Sequence, residues 1–168
     1  MFVGGVGNPW LGDLDFGPQF IRRYHDAGWP PHVVMEDASV SAHRVLHQLQ
    51  EHTPGRVIFV AGFPRGDPAG TIRRYQLEGP MPDPEEVAIR LGEAAGGVID
   101  FDHTLIVARH YGALPPDTIV VEVEAVDETF GTTFSEPVEA SFEHVLAIVR
   151  EEVTRPWEPA AKSCRGTS

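Results

Sequence analysis

The sequence contains a single cysteine, Cys164, among its 168 residues. A disulfide within the chain needs two cysteines and a cysteine-rich zinc site needs more, so both are excluded. Long hydrophobic runs are also missing, because no stretch approaches the roughly 18 apolar residues that a membrane span requires. The N-terminus lacks the charged-then-apolar pattern of a secretory signal. These absences predict a soluble, cytoplasmic protein without a membrane partner.

Basic residues are scarce as well. There are 13 Lys and Arg side chains against 25 Asp and Glu, which gives a formal net charge of −12 at pH 7. The field of such a protein repels phosphate polymers, so nucleic acid is not an expected partner. The same negative charge is complementary to a partner segment that carries Lys, Arg or His. Acidic enzymes are common, however, so the charge does not by itself indicate such a partner. The Gly-x-Ser-x-Gly turn of serine hydrolases and the third glycine of a dinucleotide-binding motif are both absent.

Short β-branched runs alternate with segments of helical period along the chain. This alternation is typical of strand-helix units around a mostly parallel sheet. We therefore predict an α/β fold, a three-layer α/β/α sandwich with about five strands, in one domain over residues 1–155, followed by a flexible tail over 156–168. The predicted strands cover about Phe2–Val6, His32–Glu36, Arg56–Ala61, Thr71–Leu77 and Thr118–Val123. The last two helices are predicted at about His103–Tyr111 and Val138–Val153.

The segment from Gly5 to Gly17 combines a glycine turn after the first strand with two carboxylates just before a helix. In a sandwich of this kind, ligands bind beyond the carboxyl ends of the strands, where the strand order reverses. The loops after the first three strands and the loop before His103 are therefore expected to form a crevice. We expect Asn8, Trp10, Asp13, Asp37 and Phe63 to line it and contact a substrate. For Asp13, a structural role within its own turn is the competing interpretation.

Four segments resemble motifs of one family. Gly5-Val6-Gly7-Asn8 is followed by Leu11, Asp13 and Gly17, and Glu36-Asp37 follows the second strand. The third and fourth segments are Phe63-Pro64-Arg65-Gly66-Asp67-Pro68-Ala69-Gly70-Thr71 and Gly131-Thr132-Thr133-Phe134-Ser135-Glu136-Pro137-Val138. In this order and spacing they resemble the hydrogenase maturation endopeptidases, which trim the C-terminus of the nickel-iron hydrogenase large subunit. The resemblance covers nearly the whole domain.

The resemblance implies a metal site made by an acid after the first strand, an aspartate after the third strand and a histidine before a later helix. This sequence departs from that pattern at all three places. Leu14 stands at the first position, Ala61 or Gly62 at the second, and Ile99 or Gly97 at the third. None of these side chains can donate to nickel. No cofactor of the chain's own is therefore predicted, and any nickel would be the ion already inserted in the substrate.

A relocated metal site is an alternative. Asp15 follows Leu14 directly, and Asp102 and His103 lie a few residues beyond the expected histidine. Two carboxylates and an imidazole are a reasonable ligand set for a divalent metal. Asp102 is explained equally well as the cap of the helix that it precedes.

Two functional hypotheses follow from the resemblance. Both have the nickel-iron hydrogenase large-subunit precursor as partner. In the first, the protein is a metal-dependent endopeptidase that cleaves this precursor. In the second, it is a non-catalytic relative, or pseudoenzyme, that acts as an assembly factor or chaperone for a hydrogenase subunit. The loss of ligands favours the second hypothesis, whereas likeness of fold favours the first.

Overall fold

The computed structural model describes residues 1–39, 42–95 and 101–156. Strands and helices alternate along these residues, and a short 3-10 turn at Gly12–Asp15 precedes the first helix. The strands are β1 (Phe2–Val6), β2 (Val34–Asp37), β3 (Arg56–Phe63), β4 (Ile72–Gln76) and β5 (Asp117–Glu124). The helices are α1 (Phe16–Tyr24), α2 (Ala42–His52), α3 (Pro84–Ala95), α4 (Phe101–His110) and α5 (Glu136–Thr154).

The five strands form one sheet in the order β2-β1-β3-β5-β4. The first four strands of this order are parallel, and β4 pairs antiparallel with β5 at the edge. The prediction of a mostly parallel, five-stranded sheet is confirmed. Because β1 has β2 on one side and β3 on the other, the strand order reverses between β1 and β3, and a ligand crevice is expected at their carboxyl ends.

Helices cover both faces of the sheet, as predicted for a three-layer sandwich. On one face, the core contains Phe16 and Phe20 of α1 and Phe142 of α5. On the other face, Leu49 of α2 and Phe101 of α4 pack against the sheet. Among the described helices, none is both long enough and apolar enough to cross a bilayer.

The first helix lies unusually close to the sheet because glycine stands at the contact. A Cβ atom at Gly17 would overlap the carbonyl oxygens of Val6 and Val60, which belong to two adjacent strands. A Cβ atom at Gly5 would in turn overlap the carbonyl oxygen of Gly17. Two glycines of the Gly5–Gly17 segment therefore serve the packing of α1 on β1 and β3.

Most element boundaries differ from the predicted ones by one or two residues. Strand β2 begins at Val34 rather than His32, because the Val33 amide donates to the carbonyl of Pro30 and closes a turn there. Helix α4 already includes Phe101, so Asp102 lies inside its first turn and does not precede the helix as a cap. Residues 157–168 of the predicted tail lie outside the described residues.

The amino end of the sheet is joined to α5 by a buried arginine. The Arg56 side chain is 1% exposed, and its Nε donates to Asp117 at 2.6 Å. Its Nη1 donates to the backbone carbonyls of Glu152 at 2.6 Å and Arg155 at 2.9 Å. Removal from water raises the pKa of Asp117, but hydrogen bonds from Arg56 and Arg155 outweigh this effect and lower the pKa. Arg56 thus connects β3, β5 and the end of α5.

We expect Arg56→Met to lower the free energy of unfolding by about 3–5 kcal/mol, because it leaves the carbonyls of Glu152 and Arg155 without this donor and Asp117 with one arginine in place of two. Urea denaturation at pH 7 measures the change. Arg22→Met is the matched control. The Arg22 side chain is 47% exposed and pairs with Asp37 at 3.2 Å, so its loss should cost less than about 1 kcal/mol. Equal losses in the two variants would contradict the role given to Arg56.

Candidate functional site

A cavity of about 210 Å³ lies at the carboxyl ends of β1 and β3, where the strand order reverses. Both strand ends, the turn before α1 and the start of α4 contribute to it. Its lining among the described residues is Val6, Gly7, Asn8, Leu14, Gly62, Phe63, Pro64 and Phe101. The predicted site residues Asn8 and Phe63 therefore lie at one cavity, together with Leu14. Their contact with a substrate remains a prediction.

Apart from Asn8, the described side chains that line the cavity are apolar. Leu14 and Gly62 occupy two of the positions at which the resemblance implies metal ligands, and neither has a donor atom in its side chain. A Cβ atom at Gly62 would overlap the carbonyl oxygen of Asp13, so this backbone leaves no space for a carboxylate there. Ala61, the other candidate for the second position, is fully buried. Ile99 and Gly97 lie outside the described residues. The residues that are described do not fit a nickel ion.

Asp13 is completely buried and uses its carboxylate to hold a distant loop. It accepts hydrogen bonds from the backbone N–H groups of Val126 at 3.0 Å, Asp127 at 2.9 Å and Ser135 at 2.8 Å. The Ser135 hydroxyl also donates to it, at 2.8 Å. These contacts support a structural role for Asp13. The groups that donate to its carboxylate belong to the loop after β5, however, and not to its own turn. This side chain has no exposed surface with which to contact a substrate.

Trp10 and Asp37 are both absent from the described lining of the cavity. Trp10 is 57% exposed in the turn after β1. Asp37 ends β2 and pairs with Arg22, and it accepts hydrogen bonds from the backbone N–H and the hydroxyl of Ser39.

The three residues of the predicted relocated metal site, Asp15, Asp102 and His103, lie in different surroundings. The Asp15 Oδ2 accepts a hydrogen bond from Gln19 at 2.8 Å, and its Oδ1 has no hydrogen-bond partner among the described residues. Asp102 forms two hydrogen bonds with Arg65, at 2.7 and 2.9 Å, whereas His103 is buried on the first turn of α4. In the part of the chain that the structure describes, no three His, Cys, Asp or Glu side chains are grouped so as to hold a metal ion. The structure therefore does not bring Asp15, Asp102 and His103 together.

A cluster of charged side chains beside the cavity was not predicted from the sequence. Its centre is Arg65, which joins Asp102 of α4 to Glu122 of β5, and Tyr75 of β4 donates to Glu122 at 3.0 Å. The Arg65 guanidinium also lies 4.1 Å from the centre of the Phe63 ring. The available signal was two glutamates spaced two residues apart, Glu122 and Glu124, at the end of the apolar run that begins at Ile119 of β5.

These contacts set the protonation of the cluster. Hydrogen bonds to Asp102 and Glu122 raise the pKa of Arg65 despite its partial burial. Burial and the charge of Glu122 raise the pKa of Tyr75 above its ordinary value. Removal from water raises the pKa of Glu124, but backbone N–H groups of Gly66 and Arg65 donate to its carboxylate and lower the pKa. Arg65 is therefore a permanently charged and fully paired link between β3, β5 and α4.

Solved structures with a similar fold identify the architecture. The hydrogenase 2 maturation peptidase from a Thaumarchaeota archaeon superposes with a TM-score of 0.64 and 21% identity, over 91% of this chain and 97% of that chain. A [NiFe] hydrogenase maturation protease from Thermococcus kodakarensis gives 0.60 and 16%, over 90% of each chain. The chain has the fold of the hydrogenase maturation proteases.

A third structure of this fold is the hydrogenase maturating endopeptidase from Escherichia coli, with a TM-score of 0.59 and 21% identity, over 89% of this chain and 91% of that chain. No protein-family model matches the chain, and no curated protein matches its sequence. At these identities, the likeness establishes the maturation-protease fold. What the chain does with this fold depends on its own side chains.

We expect Asp13→Ala to release the loop over residues 125–135, because four donors lose a buried acceptor. The free energy of unfolding should fall by about 3 kcal/mol or more. Hydrogen exchange at the amides of Val126, Asp127 and Ser135 should accelerate relative to the wild type. Asp26→Ala serves as control, since the Asp26 side chain is fully exposed, and it should leave both measurements unchanged. Unchanged exchange in Asp13→Ala would contradict this role.

Proposed function

We propose that this protein recognises the precursor of a nickel-iron hydrogenase large subunit in the cytoplasm and does not cleave it by metal-dependent proteolysis. Its role is that of an assembly factor. The fold supports the choice of partner, because the three similar proteins above are maturation proteases or endopeptidases of hydrogenases. The chemistry of the cavity supports the absence of cleavage.

The observation that carries the proposal is the cavity lining. A metal that activates water must be held by donor atoms, and it must leave a coordination position open for the water. Leu14, Gly62 and Phe101 present hydrocarbon or backbone at the place where such donors are needed. The adjacent carboxylates of Asp13 and Asp102 are already committed to hydrogen bonds within the protein. The site is suited to binding an apolar group.

The decisive experiment mixes the purified protein with the nickel-loaded large-subunit precursor of the same organism. We expect a stable complex in size-exclusion chromatography and no shortened product in mass spectrometry. A shortened product would overturn the non-catalytic part of the proposal. If Asp15→Ala or His103→Ala then abolished the cleavage, the relocated ligands would be responsible. If no complex formed, the proposed recognition itself would be contradicted.

We further expect titration with nickel(II) or cadmium(II) at neutral pH to give no heat of binding at the cavity, because the described donors are not grouped. His43 and His47 are exposed four residues apart on α2, a spacing at which two imidazoles can bind a divalent ion outside the cavity. His43→Ala/His47→Ala is therefore the background for the calorimetry. Heat that persists in this background and disappears with Asp15→Ala or His103→Ala would contradict the expectation.

A further inference from the structure

The cavity is large enough to accept a whole apolar side chain. An apolar cavity of about 150 Å³ stays dry and binds benzene. The cavity between β1 and β3 has about 210 Å³, and its described lining includes Leu14, Phe63 and Phe101. An aromatic ring or a branched aliphatic side chain can therefore fill it.

Large apolar side chains are exposed beside the cavity. The Leu11 amide donates to the carbonyl of Asn8 at 3.2 Å and closes a turn whose third residue, Trp10, has φ of 68°. Glycine or asparagine is the usual residue in this backbone conformation. A tryptophan that is 57% exposed there buries less than half of its surface within the chain. Strained positions of this kind cluster at functional sites.

A second loop places another aromatic side chain next to this turn. The Gly131 amide donates to the Trp10 carbonyl at 2.7 Å, so the adjacent Phe130 lies at the same edge. Phe130 is 84% exposed, and Val126 of the same loop is 56% exposed. We call Trp10, Val126 and Phe130 the apolar rim. Exposed apolar side chains that are grouped in this way mark interaction sites.

The chain segments that carry the apolar rim contain acidic side chains and no basic ones. The sequence contains no Lys, Arg or His before Arg22, and none between Tyr111 and Glu143. The loop of the rim carries Asp127 and Glu128, of which Glu128 is exposed. Arg65, which follows the cavity residues Phe63 and Pro64, is bound to Asp102 and Glu122. A partner segment with Lys or Arg complements this surface.

From these observations we infer that the cavity and the apolar rim bind a basic polypeptide segment, one large apolar side chain of which enters the cavity between Leu14 and Phe63. Trp10 and Phe130 contact the segment at one edge of this anchor, and Glu128 pairs with its cationic side chains. The inference rests on the proposed function, because it specifies the part of the precursor that the protein recognises. A buried anchor that is surrounded by aromatic contacts is the usual core of a protein interface.

The first experiment tests the cavity without any hydrogenase. Indole is titrated into the protein and followed by calorimetry and by NMR. We expect saturable binding to the wild type, and at least a tenfold weaker affinity in Leu14→Phe, whose larger side chain fills the cavity. Ile89→Phe is the matched control, because Ile89 is 56% exposed on α3, and it should bind indole as the wild type does. Thermal unfolding confirms that both variants are folded. Absence of saturable binding to the wild type would overturn the anchor.

The second experiment measures the affinity of the large-subunit precursor. We expect Leu14→Phe, Trp10→Ala and Phe130→Ala each to weaken it about tenfold or more, as is typical of interface hot spots. Ile89→Ala should leave it unchanged. Glu128→Gln should slow association and reduce its dependence on salt, whereas Glu51→Gln on α2 should have no such effect.

The two experiments separate the two proposals. If indole binds but the precursor does not, the proposed partner is wrong, whereas the conclusion that the cavity accepts a large apolar group stands. If the precursor binds equally well to the wild type, Leu14→Phe and Trp10→Ala, the cavity inference is overturned and the proposed function stands. A precursor affinity that increases with salt would contradict the basic character of the bound segment.

Discussion

The backbone of the turn Gly12–Asp15 packs directly against the backbone at the ends of β1 and β3. The geometry of the candidate site depends on this close contact. Glycine at positions 7 and 62 makes this contact feasible, since a Cβ atom at either would overlap a carbonyl oxygen of the turn, that of Leu14 or that of Asp13. A carboxylate at position 62 would require the turn to move away from the strand. Close packing here and a metal ligand at this position are therefore mutually exclusive, and the described structure has the close packing.

The same turn also fixes the loops that surround the cavity. The carbonyl oxygen of Asp13 faces Gly62, while its carboxylate holds the loop after β5 through Val126, Asp127 and Ser135. Hydrogen bonds from N–H groups to a buried carboxylate are stronger than those between neutral groups. The loop after β1 and the loop after β5 consequently behave as one unit. Preorganisation of this kind lowers the entropic cost of binding a flexible segment.

The sequence predicts the layers, the sheet and the end at which the cavity lies, because apolar periodicity and glycine turns are local signals. It does not predict the partners of buried polar groups. Asp13 bonds to residues 113 to 122 positions away, and Asp102 meets Arg65 across 37 positions. Only the strand order brings these residues together. From the sequence alone, Asp102 is therefore expected to be a helix cap or a metal ligand. In the fold it forms an ion pair with Arg65.

The Arg65 cluster explains how an apolar cavity persists beside many charged side chains. Its guanidinium covers one side of the Phe63 ring, and its charge is matched by Asp102 and Glu122. The charged groups at this border thus pair with one another, and the described wall of the cavity apart from Asn8 is apolar. Binding there then gains about 25 cal/mol for each Å² of apolar surface that is removed from water. Under our proposal, recognition through the cavity depends on the shape of the entering side chain and is the same whether or not nickel has been inserted into the partner.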